Sequence, residues 1–306
     1  MPTYPTVIIL EVRDPGWIYN RKLPTGFGWF HPNLSIANAL QKSYLPATTQ
    51  VLIQSAMSLT ENVFLPGVPK ERILKSLAAS PGNEIASGKL LSPVSSAALA
   101  VNSIGWFIER TDLFPAFPGM ESLSPAESVD VEYQARFPWR GGHHPWLDGA
   151  VTTKTHLIGI ESKRYEPFRD SKKPSFSDAY DRPVWEGIEP YAVLKDSLRT
   201  GDLKYEHLDA AQLVKHALGL CTDAKRKGLK PGLVYLYAEP TDIVESEHGR
   251  QDIARHRSEI ADFAKRVASA QISFIGVSYH SWISSWTSSN PELHAHAQQL
   301  RSVFKL

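Results

Sequence analysis

The stretch His144 to Phe168 reads HPWLDGAVTTKTHLIGIESKRYEPF, and it decides the fold. Two apolar, β-prone runs, Pro145 to Thr152 and His156 to Tyr165, are separated by the polar turn TTKT, which predicts a hairpin. Strand periodicity puts Glu161 and Lys163 on one face of the second run and turns Ser162 away. These charges end the apolar run LIGI, where a sheet interior meets solvent. Asp148 lies on the preceding strand, and the hairpin brings it across from Glu161. Two carboxylates facing each other repel unless something positive lies between them. A hard divalent cation such as Mg²⁺ answers that need, since it prefers carboxylate oxygens and keeps positions open for water and phosphate. Lys163 adds a point charge that can hold a phosphate or an attacking water. The plainer alternative makes Glu161 and Lys163 a strand-end ion pair and Asp148 a turn residue before Gly149.

Working outward, Pro93 to Arg110 carries Val94, Ala97, Ala98, Val101, Ile104, Gly105 and Ile108 along one helical face. Ser128 to Phe137 alternates: Val129, Val131, Tyr133, Ala135 and Phe137 point one way, and Asp130, Glu132, Gln134 and Arg136 the other. A polar insertion from Pro167 to about His207 includes a short helix near Tyr191 to Leu198. Helices are then expected over Leu208 to Cys221, over Gln251 to Ser269 and from Pro291 onward. Strands are expected over Gly232 to Glu239 and Ile272 to Trp282. At the N-terminus, Thr6 to Val12 reads as a buried strand, followed by a Gly/Pro/aromatic stretch from Asp14 to Pro32. The next residues look helical in pieces, most clearly PKERILKSLAAS, opened by Pro69 and closed by Pro81-Gly82. The expectation is an α/β fold with a mixed central sheet flanked by helices. Residues 1–90 form a mostly helical N-terminal extension, and residues 91–306 the main domain.

This order and these residues resemble the PD-(D/E)XK nuclease superfamily, whose restriction endonuclease-like core runs αβββαβ. In it the aspartate begins the second strand and the acid-x-lysine triplet lies on the third. Asp148 and Glu161-Ser162-Lys163 match both positions. Glu161 to Phe168 looks like the ExKxxEPF variant of a bacterial group described as restriction endonucleases. The resemblance covers about Ser92 to Trp282, with Leu147 standing before the aspartate and Pro145 three positions upstream of it. It implies a metal-dependent endonuclease that hydrolyses phosphodiester bonds with a metal-activated water. Asp148, Glu161, Lys163 and Gln212 would be the catalytic set, and Asp148, Glu161 and Glu109 would hold Mg²⁺ or Mn²⁺. Gln212 and His216, one turn apart opposite the apolar stripe, are similar to the Gln-x-x-x-aromatic helix of some branches; a solvated helix face explains them equally. Glu109 sits at the edge of a buried helical face where members often place a further acid, and Glu132 competes for that role.

Composition narrows the alternatives. The chain has 306 residues, is 42% hydrophobic and 21% charged, and has a formal net charge of +1. It can therefore bury a core, and it does not recognise partners by bulk charge. One cysteine, Cys221, excludes an internal disulfide framework and a multi-cysteine zinc site. No run approaches a membrane span, and MPTYPTVIILEVRDPG lacks the basic n-region of a signal peptide, so a cytoplasmic protein is expected. The expected partners are nucleic acid, with DNA preferred, and a second copy of the chain as a homodimer. Arg164, Arg169, Lys172 and Lys173 can track a phosphate backbone, with Tyr165, Phe168, Phe176 or Tyr180 stacking; a solvated loop is the alternative. Lys225, Arg226, Lys227 and Lys230 share that ambiguity. The rival function is a non-catalytic nucleic-acid-binding or interaction module on the same fold.

Overall fold

The computed structural model describes residues 11–14, 17–20, 28–30, 63–82, 84–123, 125–139, 143–169, 173–286 and 289–306. The N-terminal strands are β1 (Glu11–Asp14), β2 (Trp17–Asn20) and β3 (Gly28–Phe30), an antiparallel sheet in the order β1-β2-β3. The sequence reading placed one strand here, over Thr6 to Val12, and then a Gly/Pro/aromatic stretch from Asp14 to Pro32. Instead EVRD and WIYN, short β-prone runs on either side of Pro15-Gly16, pair with each other, and the strand reading of residues 6–10 lies outside the described residues. Helix α1 (Lys70–Ala79) follows Pro69 as expected and buries Ile73, Leu74 and Leu77.

Helix α2 (Ser96–Ser103) is capped by Ser95, whose Oγ accepts the Ala98 N–H at 3.0 Å. The α-helix does not continue to Arg110. Residues Gly105–Glu109 tighten into a 3₁₀ helix where a Cβ at Gly105 would come 2.6 Å from Ile73 Cδ1. Strands β4 (Ala126–Gln134), β5 (Trp146–Thr153) and β6 (His156–Lys163) pair antiparallel in sequence. The turn helix α3 (Glu166–Arg169) and the insertion helix α4 (Glu189–Thr200) lead to α5 (Ala210–Lys227), capped by Asp209. Strand β7 (Lys230–Tyr237) then returns parallel to β6. After α6 (Thr241–Val244) and α7 (Glu247–Val267), β8 (Ser273–Ser278) adds parallel to β7. The last strand was expected to reach Trp282. It stops at Ser278, whose Oγ accepts the Ser281 N–H and caps α8 (Tyr279–Ser284). Helix α9 (Pro291–Phe304) closes the chain, capped by Asn290.

The main sheet is therefore mixed, five-stranded, in the order β4-β5-β6-β7-β8, with helices on both faces, as the sequence pattern implied. One core sets Ile158, Ile160, Val234 and Leu236 against α2, the Trp106–Ile108 segment, Trp282 and α9. The other sets Leu157, Leu233 and Tyr235 against α4, α5 and α7. Gly159 lets α5 come close, because a Cβ there would lie 2.6 Å from Leu220 Cδ1.

Strand β4 does not keep one face. Val129 and Val131 belong to the first core, whereas Ala135 and Phe137 belong to the second. The switch falls at Glu132, a non-glycine residue at φ +54°, inside the left-handed region. Such a conformation costs roughly 1 kcal/mol or more and inverts the simple alternation of the strand.

Candidate active site

β5 and β6 stop pairing at Gly149 and Ile160. The next amide of β6 that would face β5 is Ser162 N–H, and it donates instead to Asp148 Oδ2 at 2.6 Å. Asp148 thus stands in for a lost ladder bond, at the point where the sheet forks. On β6 the side chains alternate as expected. The Ser162 hydroxyl turns to the α2 face and meets Tyr279 Oη at 2.7 Å, with Ser103 Oγ donating to the same phenol at 3.2 Å. Glu161 and Lys163 turn to the α5 face, and Lys163 Nζ lies 2.5 Å from Glu161 Oε1.

Glu161 is 2% exposed and has a second neighbour: His216 Nδ1 lies 3.2 Å from its other oxygen, Oε2. The sequence reading gave His216 and Gln212 to a helix side opposite the apolar stripe. The structure corrects this for His216, which is also only 2% exposed. Eighteen residues of amphipathic α5 wrap a wider apolar stripe than two turns suggest, and β6 lies under it. Burial, with Lys163 nearby, drops the His216 pKa to about 3, and a backbone bond to Trp146 engages the ring. His216 is therefore neutral. Its Nδ1 makes no hydrogen bond. Gln212, half-buried, stands one turn earlier on the same helix.

Further acids converge on this point. Glu166, at the start of α3, accepts the Arg164 N–H at 3.1 Å and the Ser96 hydroxyl, tying the turn to the first turn of α2. Burial pushes its carboxyl up, but Lys163, Ser96 and backbone N–H groups together bring it below its ordinary value. Asp148 is raised to about 8, by burial first and then by the charge of Glu161. Glu132 is raised to about 7, by burial first and then by Asp148. Glu161 is raised too, by burial, with Asp209 and Glu166 adding to it against the pull of Lys163. Burial works against the Lys163 charge, yet Glu161, Asp148 and Glu166 hold its ammonium above the usual range. Three carboxyls, of Asp148, Glu161 and Glu166, thus share one ammonium, and Glu132 stands close enough to feel the charges of Asp148 and Glu161.

Glu109 is not brought there. It is exposed at the end of the 3₁₀ segment. Winding at 120° rather than 100° per residue slips the helical face by about 100° over five residues, carrying Glu109 off the buried stripe. Glu132 is the acid that approaches instead, redirected by its positive φ. Glu166 and Asp209 were given no role from the sequence. The only signal for Glu166 was its spacing three residues past Lys163.

The basic loop also changes meaning. Arg164 is 2% exposed and donates to the Pro93 carbonyl and the Phe304 carbonyl, each at 2.7 Å, so it is a structural clamp and not a phosphate tracker. Tyr165 is buried, with its hydroxyl on Asp242 at 2.8 Å. Phe176 and Tyr180 pack against the second core. Arg169 and Lys173 are exposed, while Lys172 lies outside the described residues. In the other cluster, Arg226 donates to the Phe137 carbonyl at 2.8 Å and Lys227 to Tyr133 Oη at 2.8 Å.

The donor set fits Mg²⁺. Among the described residues no three His, Cys, Asp or Glu side chains form a ready metal cage. Mg²⁺ does not need one, because it is commonly held by one or two carboxylates with water and substrate phosphate completing its shell. A buried carboxylate between an ammonium and an unprotonated imidazole nitrogen, with further acids beside it, has more acceptors than its positive charge satisfies. Among the described residues no helix is long and apolar enough to cross a membrane. A family model described as Restriction Endonuclease associating with ARP matches residues 29–302. No curated protein and no solved structure matches the chain.

Proposed function

The chain belongs to this restriction endonuclease-related family, and on that premise we propose that it is a Mg²⁺-dependent endonuclease of PD-(D/E)XK type that hydrolyses DNA phosphodiesters. The observation that carries the reading is the fork of β5 and β6. It puts Asp148, Glu161 and Lys163 at one spot, with Glu132 and Glu166 beside them. Asp148 and Glu161 would hold the cation, with Glu132 in the place first considered for Glu109. When bound, Mg²⁺ would polarise the phosphate and acidify the attacking water.

The side chains divide the remaining work. Lys163, held protonated by the surrounding carboxylates, stabilises charge developing on the phosphate and does not act as the base. His216 faces Glu161 Oε2 with an unprotonated nitrogen and so leaves that oxygen without a donor. Glu166 fixes the turn that follows Lys163. Gln212, one turn before His216 on α5, would approach the same face.

The test is cleavage of supercoiled plasmid, linear duplex, single-stranded DNA and RNA, with Mg²⁺, with Mn²⁺ and with excess chelator. Cleavage of DNA that needs the divalent cation and is lost in Glu161→Gln is expected. Full activity in excess chelator, or in that variant, would overturn the assignment. Metal-independent DNA binding without any cleavage would leave the non-catalytic module standing.

A further inference from the structure

Beside the Pro167 carbonyl of α3, a second group of side chains has a different chemistry. His207 is 5% exposed. Its Nδ1 lies 2.9 Å from the Pro167 carbonyl, which can only accept, so Nδ1 carries the proton and donates. The lone pair of the neutral ring is therefore on Nε2, which is buried and makes no hydrogen bond. That nitrogen faces Asp252 Oδ1 across 3.7 Å. The other oxygen of the same carboxylate, Oδ2, lies 3.6 Å from His248 Nε2, on an imidazole that is 87% exposed. His248 and Asp252 are four residues apart on α7 and so share one face.

Two imidazoles flank one carboxylate, and the buried Nε2 that faces it has no hydrogen-bond partner, an arrangement that a cation between the three groups would satisfy. An imidazole whose far N–H is fixed by a backbone carbonyl is the usual orientation of a metal-ligating histidine. In a tetrahedral zinc centre with bonds of about 2.0 Å, donor atoms stand about 3.3 Å apart. The two gaps here are wider by only a few tenths of an ångström. The three donors do not already surround a common point, but His248 is free to turn.

His207 is also held firmly. Glu259, further along α7, accepts the backbone N–H groups of Glu206, His207 and Leu208 at 2.7, 2.8 and 2.9 Å. The histidine is thus anchored to α7 by its backbone while its side chain faces Asp252 on the same helix.

We propose that His207, Asp252 and His248 form a second metal site, selective for a borderline transition-metal dication such as Zn²⁺ and separate from the carboxylate cluster. Imidazole donors suit Zn²⁺ and disfavour Mg²⁺, so the two sites would sort metals by ligand type. A dication here would fasten α7 to the Pro167 carbonyl, immediately after the strand that carries Glu161 and Lys163.

The experiment is titration of the metal-free full-length chain with Co²⁺, followed by visible d–d absorption, and then displacement by Zn²⁺. One equivalent with the intense bands of a tetrahedral centre is expected. Affinity should fall tenfold or more in His248→Ala and in Asp252→Asn, and stay unchanged in Glu161→Gln. His248 is exposed, so its variant tests the site without threatening the fold. One equivalent of Zn²⁺ should also raise the melting temperature of the native chain by a few degrees, but not that of Asp252→Asn. Absence of tetrahedral Co²⁺ bands would overturn the proposal. So would binding that His248→Ala and Asp252→Asn leave intact, or that Glu161→Gln abolishes.

Discussion

Glu161 and Glu259 are both buried carboxylates, 2% and 8% exposed, and their surroundings differ in kind. Glu259 receives three consecutive backbone N–H groups, with Arg255 Nε at 3.6 Å. Those donors are fixed by the chain and cannot leave. Glu161 receives one flexible ammonium, faces an imidazole lone pair and shares its space with Asp148 and Glu166. A carboxylate satisfied by backbone holds a fold together. One surrounded by other acids retains affinity for a cation or a proton that arrives later. Burial alone would have ranked the two alike.

The sharpest way to break this contrast is to remove Glu259. Glu259→Ala leaves three amides without their acceptor and takes away charge-assisted bonds, so a loss of about 4 kcal/mol in unfolding free energy is expected by denaturant titration. Molecules that remain folded should keep the Glu161 cluster. Next comes Glu161→Gln, which should lower the cleavage rate by at least ~100-fold, or about 3 kcal/mol in the transition state. Its metal-free stability should stay level or rise, since a carboxyl whose pKa is raised by burial is relieved on neutralisation. A melting temperature well below that of the native chain would place Glu161 with Glu259 as a structural group. Lys163→Ala is the less clean variant. It leaves Glu161, at 2% exposure, without its ammonium, so lost activity there would mix with lost stability.

A third measurement concerns protons. Asp148 rises to about 8 and Glu132 to about 7, so at neutral pH and without a cation Asp148 is mostly protonated and Glu132 partly so. Mg²⁺ binding must displace those protons. Its affinity, followed by calorimetry in buffers of different ionisation enthalpy, should increase about tenfold or more from pH 6 to pH 8, about 1.4 kcal/mol or more. A pH-independent affinity would mean that neither acid is displaced. The last effect is expected for Asp148→Asn. A folded-state carboxyl raised from the usual value near 4 to about 8 binds its proton more tightly than the unfolded chain does. Stability therefore falls as pH rises between those values, and the asparagine should flatten that slope by about 1 kcal/mol per pH unit in metal-free protein.

Much of this was legible from 25 residues. The alternation in LIGIESK set Glu161 and Lys163 on one face, and the hairpin set Asp148 near them, because local pairing fixes both. Two of the readings that failed share a cause: each depended on where the backbone leaves its regular period. Glu109 was projected along an α-helix that becomes 3₁₀ at Gly105. Ala135 and Phe137 were assigned to the face of Val129, although the positive φ of Glu132 sends them to the other core. Arg164 looked like a surface cation because nothing in its neighbours announces the carbonyls of Pro93 and Phe304, which come from distant segments. His207 had no sequence signal at all, since its partners come from α3 and α7.

The fork between β5 and β6 also sets an order of assembly in time. Asp148 and Ser162 are 14 residues apart and meet as soon as the hairpin zips, on the scale of microseconds. His216 reaches Glu161 only after the crossover through α4 and α5 has docked and β7 has found its parallel register. Such long-range pairing is the slow part of folding a parallel sheet. The carboxylates and Lys163 thus come together while still open to water, where their repulsion is screened. Water is shut out of the cluster last, when α5 closes over charges that have already found their places.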